Sequence, residues 1–181
     1  EERFGPVNVL VAAAGVSEPA PIARTETDML RTLFRVNVEG VLNAIRPVLP
    51  SMIDAGRGRV IAIASTAALK GYAYAGAYAA TKHAVLGLIR SLALETAKTG
   101  VTANAVCPGF ANTDMTTASI ERIMKKTGRS EAEARAALCS TSPMGRLVEP
   151  QEVADTVRWL AGPAAAAITG QAIAVAGGEV M

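Results

Sequence analysis

Four stretches of the chain are apolar without strict alternation: VNVLVAAAG (7–15), RVIAI (59–63), VTANAVCPG (101–109) and QAIAVAGG (171–178). Short continuous apolar runs that end at glycine, serine or proline read as strands covered on both faces. Between them the apolar residues recur at helical spacing. TETDMLRTLFRVNVEGVLNAIRPVLPSM (25–52) predicts one long helix, with Thr25 and Asp28 as a capping pair and a kink at Pro47 in its last turns. Residues 75–99 predict a second helix closed by Gly100. PQEVADTVRWLAG (150–162) predicts a third, with proline near its start and glycine just past its end. Alternating strands and helices predict an α/β fold, a doubly wound parallel sheet. Residues 114–147 form the one long excursion and contain RSEAEARAAL, a further predicted helix. Loops at the carboxyl ends of parallel strands build binding sites, so 114–147 is a candidate substrate lid.

Within the second helix, Tyr78, Lys82, Val85 and Ile89 share one face. Val85 and Ile89 mark that face as packed, yet it carries an ammonium one turn from a phenol. A free phenol, with a pKa of about 10, is a poor proton carrier at neutral pH. A positive charge ~4 Å away, at an effective dielectric near ~20, is worth about 4 kcal/mol, or up to roughly three pKa units. Lys82 is therefore expected to acidify Tyr78 into the range where it exchanges protons near pH 7, with desolvation opposing part of the effect.

Composition narrows the function classes. Half of the 181 residues are hydrophobic, 19% are charged and the formal net charge is +2. That suffices for one sizeable core and gives no strongly basic surface for nucleic acid. Two cysteines, Cys107 and Cys139, make no disulfide framework and suit the cytoplasm; one histidine makes a zinc centre improbable. The apolar runs are too short to span a membrane, and no signal segment opens the chain. Cys107 reads as a small core residue, His83 as a packing or interface residue, and Tyr72 and Tyr74 as pocket walls.

A serine just after the second strand (Ser65), a Tyr-x-x-x-Lys pair thirteen residues later and Asn37 upstream, in RVNVEG, stand in order. Around them lie AAAG (12–15), IAS (63–65), YAATK (78–82) and CPGFANT (107–113). Together, over essentially the whole chain, these motifs resemble the short-chain dehydrogenase/reductase family, and the overall pattern is similar to its 3-oxoacyl-thioester and polyketide ketoreductase branch. The resemblance implies a Rossmann-like fold and an NAD- or NADP-dependent oxidoreductase that interconverts a ketone and a secondary alcohol. It implies Asn37, Ser65, Tyr78 and Lys82 as the catalytic set. Tyr78 would be general acid or base, Ser65 would hold the substrate oxygen, and Asn37 would help hold a water that links Lys82 to solvent. Lys82 would also bond the nicotinamide ribose. Ala13, Ala14, Gly15, Tyr78, Pro108, Gly109, Ala111 and Thr113 would contact the cofactor with Lys82, and Ser65 and Tyr78 the substrate. A homodimer or homotetramer is implied as well. An acyl thioester is the expected substrate. Another small alcohol or ketone, or a catalytically inactive nucleotide-binding or scaffold role, is the alternative.

Two features depart from the family pattern. The glycine-rich turn on which a dinucleotide's pyrophosphate would lie has no counterpart here, and the first strand matches the family's fourth. We therefore expect residues 1–181 to be the C-terminal part of a longer Rossmann-like domain, with strand 7–11 left as an exposed apolar edge. Ala12 and Ala13 also stand where asparagines are common, so the side-chain ties between neighbouring strands would be missing. In the lid, Arg122, Lys125, Lys126, Arg129 and Arg135 form either a solvated helix face or a cationic surface for the phosphates of a coenzyme A or carrier arm.

Overall fold

The computed structural model describes residues 5–181. Four parallel strands, β1 (Val9–Ala12), β2 (Gly58–Ile63), β3 (Val101–Pro108) and β4 (Ala172–Val175), lie side by side in that order. Register aligns Ala12 with Ala62, Ile63 with Val106, and Pro108 with Val175, so the carboxyl ends of the strands open on one edge of the sheet. Between β1 and β2 run α1 (Thr27–Phe34), α2 (Gly40–Ile45) and α3 (Leu49–Asp54). Next, α4 (Gly76–Glu95) links β2 to β3. The last connection carries α5 (Asp114–Thr127), α6 (Glu131–Cys139) and α7 (Pro150–Ala161).

Two cores hold the layers. Val60, Ala62, Ala103, Ala105 and Cys107 pack on one face against Val41 and Ile45 of α2, Met52 of α3, and Val85, Leu86 and Ile89 of α4. On the other face Ile61 and Val106 meet Leu160, Val153 and Val157 of α7. This is the doubly wound α/β sheet that the alternating pattern predicts. Burial on both faces holds for β2 and β3 but not for the outer strands. Val9 and Val11 are 40% and 42% exposed, because they lie on the α7 side of β1, where that helix does not reach. Among the described residues β1 and β4 are the outer strands of the sheet, and β4 is only partly buried.

The expected helix over 25–52 is three helices. A π-turn, Arg35–Glu39, separates α1 from α2, and the chain turns at Arg46–Val48, where Pro47 has no N–H to continue the ladder. Thr25 does not cap α1. Glu26 is the N-cap residue, and the Thr25 hydroxyl donates to Pro21 O at 3.1 Å. The helix predicted over 75–99 ends at Glu95, capped at Thr96, and Gly100 serves the next turn instead. Gly100 has φ +77°, and a Cβ there would collide with Gly56 O, so both conformation and space require glycine. The predicted helix in RSEAEARAAL is α6, started by a Ser130–Glu133 capping box. It pairs with α5 around Ile120, Ala134, Leu138 and Leu147, with Phe110 packed against them. Backbone bonds from Val148 N to Phe110 O and from Asn112 N to Val148 O close the base of this excursion. Among the described residues no helix is long and apolar enough to cross a membrane.

Candidate active site

The carboxyl ends of β1, β2 and β3 bring three loops together, and α4 lies beneath them. Ser65 follows β2 in extended backbone and caps a short helical turn, its Oγ accepting from Ala67 N at 3.1 Å. Tyr78 and Lys82 lie one turn apart near the start of α4, as the spacing predicts. The Ser65 hydroxyl lies near enough to the Tyr78 phenol to lower its pKa. Lys82 Nζ stands 5.6 Å from the Tyr78 ring centroid and donates to Ile63 O at 3.0 Å, two residues before the serine. The structure therefore brings Ser65, Tyr78 and Lys82 into one cluster.

Asn37 joins them from the π-turn. The turn's extra residue per cycle aims its amide at the β1 loop, where Oδ1 accepts from Val16 N at 2.8 Å and Nδ2 donates to Val16 O at 2.9 Å. Nδ2 also donates to Thr81 Oγ1 at 3.0 Å. Both amide hydrogens are thus committed to holding the β1 loop against α4. Thr81, a fully buried residue between Tyr78 and Lys82, closes this link by donating to Tyr78 O at 2.7 Å. Its signal in the sequence was only a polar residue on an otherwise buried helix face.

Electrostatics differ from the sequence expectation. Lys82 is only 4% exposed, the one buried basic residue among those described. Burial is the main influence on it and brings its pKa from 10.5 down to about 8, with Cys107 opposing. Burial likewise raises the Tyr78 phenol above its ordinary 10, and the Ser65 hydroxyl offsets part of that rise. The expected acidification of Tyr78 by Lys82 is therefore not seen: desolvation of the anion is the largest influence, and Lys82 is not among the groups that lower the phenol's pKa. In this state the phenol is a proton donor. The Cys107 thiol, buried and raised by desolvation, lies close enough to feel the Lys82 charge.

The remaining predicted residues line the same edge. Ala13 and Ala14 follow β1 and are exposed. A Cβ added to Gly15 would lie 3.4 Å from both Asn37 Oδ1 and Lys82 Nζ, so glycine keeps the space over the ammonium clear. Pro108 ends β3, and Gly109 N donates to Val175 O at 3.1 Å. Ala111 bridges to Val148, and Thr113 stands before the first turn of α5. Tyr74 is exposed with φ +66° and forms no wall, whereas Tyr72 turns inward and bonds Thr66 and Glu179. His83 is exposed and pairs with Ala79 O. Among the described residues no group of acids, histidines and cysteines is arranged to hold a metal ion.

A serine hydroxyl, a half-buried phenol and a buried lysine gather at the carboxyl edge of a parallel sheet, an arrangement that fits a class of oxidoreductases in which a nicotinamide cofactor handles the hydride. The family model described as enoyl-(acyl carrier protein) reductase matches residues 1–179. A 3-oxoacyl-[acyl-carrier-protein] reductase of Vibrio cholerae is 36% identical over 180 residues, 99% of this chain and 69% of its own length. An acetoacetyl-CoA reductase of Rhizobium meliloti is 35% identical, across 99% of this chain and 70% of its own length. The solved structure of an actinorhodin polyketide ketoreductase with NADPH superposes with a TM-score of 0.93 at 40% identity, covering 98% of this chain and 69% of that one. The chain belongs to the short-chain dehydrogenase/reductase family, on its ketoacyl and polyketide ketoreductase side.

Proposed function

We propose that the protein interconverts a 3-oxoacyl thioester and its 3-hydroxyacyl counterpart, with Tyr78 as general acid and base. The observation that carries this reading is the gathering at one end of the sheet of the Ser65 hydroxyl, a half-buried Tyr78 phenol whose pKa is raised, and Lys82 Nζ 5.6 Å from the phenol ring. Two neighbouring hydroxyl groups able to donate suit a carbonyl oxygen gaining negative charge. Tyr78 then passes its proton to that oxygen, and Ser65 orients it. In the oxidative direction the same phenol must first be ionised, which its raised pKa opposes in the cofactor-free protein.

The described residues fit the nicotinamide end of NAD or NADP. Lys82 has one protein acceptor among them, Ile63 O, which leaves ammonium hydrogens for a ribose diol. Gly15 keeps a side chain away from the space beside the Lys82 ammonium. When bound, the cofactor supplies the hydride. Lys82 and Gly15 would hold the ribose, and Ala13, Ala14, Pro108, Gly109, Ala111 and Thr113 supply the surrounding backbone. Asn37 fixes the β1 loop that carries Gly15, and the second lone pair of Oδ1 is the place for the relay water.

Residues 114–147 serve as the substrate lid, since α5 and α6 pack on Phe110, next to the Pro108–Gly109 turn. Lys125, Lys126 and Arg129 are exposed beside Glu131 and Glu133, which suits a solvated face better than a dedicated phosphate site. The exposed apolar residues Leu94 and Trp159 suit a homodimer or homotetramer. The test is Tyr78→Phe in the purified protein with NADPH, NADH, acetoacetyl and crotonyl thioesters. Loss of acetoacetyl reduction by at least about a thousandfold with the fold retained is expected. Activity confined to crotonyl thioester, or unchanged in the variant, overturns the reading.

A further inference from the structure

The apolar C-terminal stretch AVAGGEVM (174–181) contains one acid, Glu179, and the structure buries it. Its side chain is 1% exposed. Oε1 accepts from the Tyr72 phenol at 2.7 Å and pairs with Lys70 Nζ at 3.3 Å. Lys70 Nζ also donates to the backbone carbonyl of Glu179 and lies over the Tyr72 ring. Tyr72 in turn is 2.6 Å from Thr66 Oγ1. A carboxylate can only accept, so the phenol hydrogen goes to Glu179 and the Thr66 hydroxyl donates to the phenol oxygen. The effects on Tyr72 agree: the Thr66 bond lowers its pKa, while burial and Glu179 raise it well above the ordinary value.

The chain Thr66–Tyr72–Glu179 starts at the residue after Ser65. Its other end presses on the Pro108–Gly109 turn. Glu179 Oε2 is buried without a partner among the described residues and lies 2.8 Å from where a Gly109 Cβ would be. Enclosed in that way, it has no room for a ligand. The Tyr72 ring meets Phe110 edge-on at 6.4 Å between centroids, at the base of the α5–α6 excursion. Two residues before Glu179, Gly177 O accepts from Met144 N at 3.2 Å, where that excursion returns. The serine loop, the Pro-Gly turn and the excursion are thus joined at one buried carboxylate. Local bonds shape the serine turn, from Ala67 N to Ser65 Oγ and from Ala68 N to Ser65 O. A bond from Ala64 N to Val106 O at 2.7 Å ties the backbone before Ser65 to β3, and the Thr66–Tyr72–Glu179 chain ties the side beyond it.

We propose that Glu179 is a positioning residue that, through Tyr72 and Lys70, sets the Ser65 hydroxyl against the rest of the active site. This deepens the reductase reading and rests on it for the kinetic test. Tyr72→Phe deletes one oxygen, Glu179→Leu deletes the anchor, and Glu179→Gln retains an acceptor. Tyr72→Phe and Glu179→Leu are expected to lower kcat for acetoacetyl thioester about tenfold with KM within about twofold, while Glu179→Gln stays within about threefold of wild type. In a Ser65→Ala background, Tyr72→Phe should add less than about twofold, because the two changes act through the same hydroxyl.

Wild-type kcat in Tyr72→Phe, or a full tenfold loss added to Ser65→Ala, overturns the proposal. Should Glu179→Leu fail to fold, the single-oxygen variant gives the same comparison. Amide hydrogen exchange at Ala67 and Ala68 tests the positioning without any turnover. Exchange about tenfold faster in Tyr72→Phe supports it, and unchanged exchange overturns it, even if a substrate panel has already sunk the reductase reading.

Discussion

Lys82→Met exchanges the buried ammonium for an apolar chain of similar length. The fall of the Lys82 pKa from 10.5 to about 8 means that holding the charged form in the fold costs about 3 kcal/mol relative to the unfolded chain. The substitution also loses the bond to Ile63 O, worth about 1 kcal/mol. A net gain of about 2 kcal/mol follows, or a rise in Tm of about 4–8 °C for a chain of this size. Turnover should be abolished in the same variant. The sharper test is the pH dependence. Between pH 8 and 10.5 the unfolded chain keeps the lysine proton and the folded protein releases it, so wild-type stability rises with pH across that window. Below pH 8 both states are charged and the term is flat. Cys107, Tyr78 and Tyr72 have raised folded pKa values and act in the opposite sense above their ordinary values. They are present in both proteins; only Cys107, which feels the Lys82 charge, is raised further when the lysine is removed, and that adds to the lysine's effect in the same sense. Urea denaturation without cofactor at pH 7, 8, 9 and 10 should show the variant's advantage shrinking with pH. A variant that is destabilised at pH 7, or an advantage that does not change with pH, refutes the reasoning.

Three further outcomes follow from the geometry. Asn37→Leu leaves Val16 N and O and the Thr81 hydroxyl without their shared partner and should cost about 2–3 kcal/mol in urea denaturation, with loss of turnover. Gly109→Ala places a methyl 2.8 Å from Glu179 Oε2 and 3.2 Å from Ala176 Cβ, and should destabilise by about 1–3 kcal/mol in the same assay. Glu152 accepts two bonds from Arg146 at 2.7 and 2.8 Å and one from Glu149 N, which hold its carboxyl down to about 2. Its contribution to stability is present at neutral pH and is lost as pH falls through about 2; side-chain carbon NMR should show Arg146→Ala moving the titration back toward 4.5.

The sequence carried the sheet because β2 and β3 are covered on both faces, and such strands must be written as unbroken apolar runs. It carried the Ser65, Tyr78 and Lys82 cluster for a related reason: a lysine on a helix face that otherwise packs is an anomaly that burial alone does not explain. The π-turn at Asn37 left no such mark. RVNVEG has the composition of an ordinary helix, and the extra residue is imposed by bonds to Val16 and Thr81, distant in sequence. The direction of the Tyr78 shift was misread for a comparable reason. Spacing gives the separation of two charges but not how much water the fold removes from each, and that second quantity dominates here. Glu179 was overlooked because a lone acid near a chain end reads as solvated, and only the parallel register of β3 and β4 carries the segment beyond it back against the serine loop.

These buried polar groups divide the site into two parts with different tolerances. Asn37 and Thr81 form a satisfied network: every bond they make is to a partner equally buried or held by backbone, so the pair fixes the β1 loop without leaving a charge uncompensated. Lys82 and Glu179 are the opposite case. One is a cation with a single protein acceptor among the described residues, and the other is an anion with an orphaned oxygen. An apolar replacement at Lys82 removes a desolvation cost, whereas removing Glu179 alone leaves Tyr72 and Lys70 without their partner. At Lys82, stability is therefore traded for the charge that turnover would use. The trade predicts its own signature: Lys82→Met should gain stability and lose activity together, whereas Asn37→Leu should lose both.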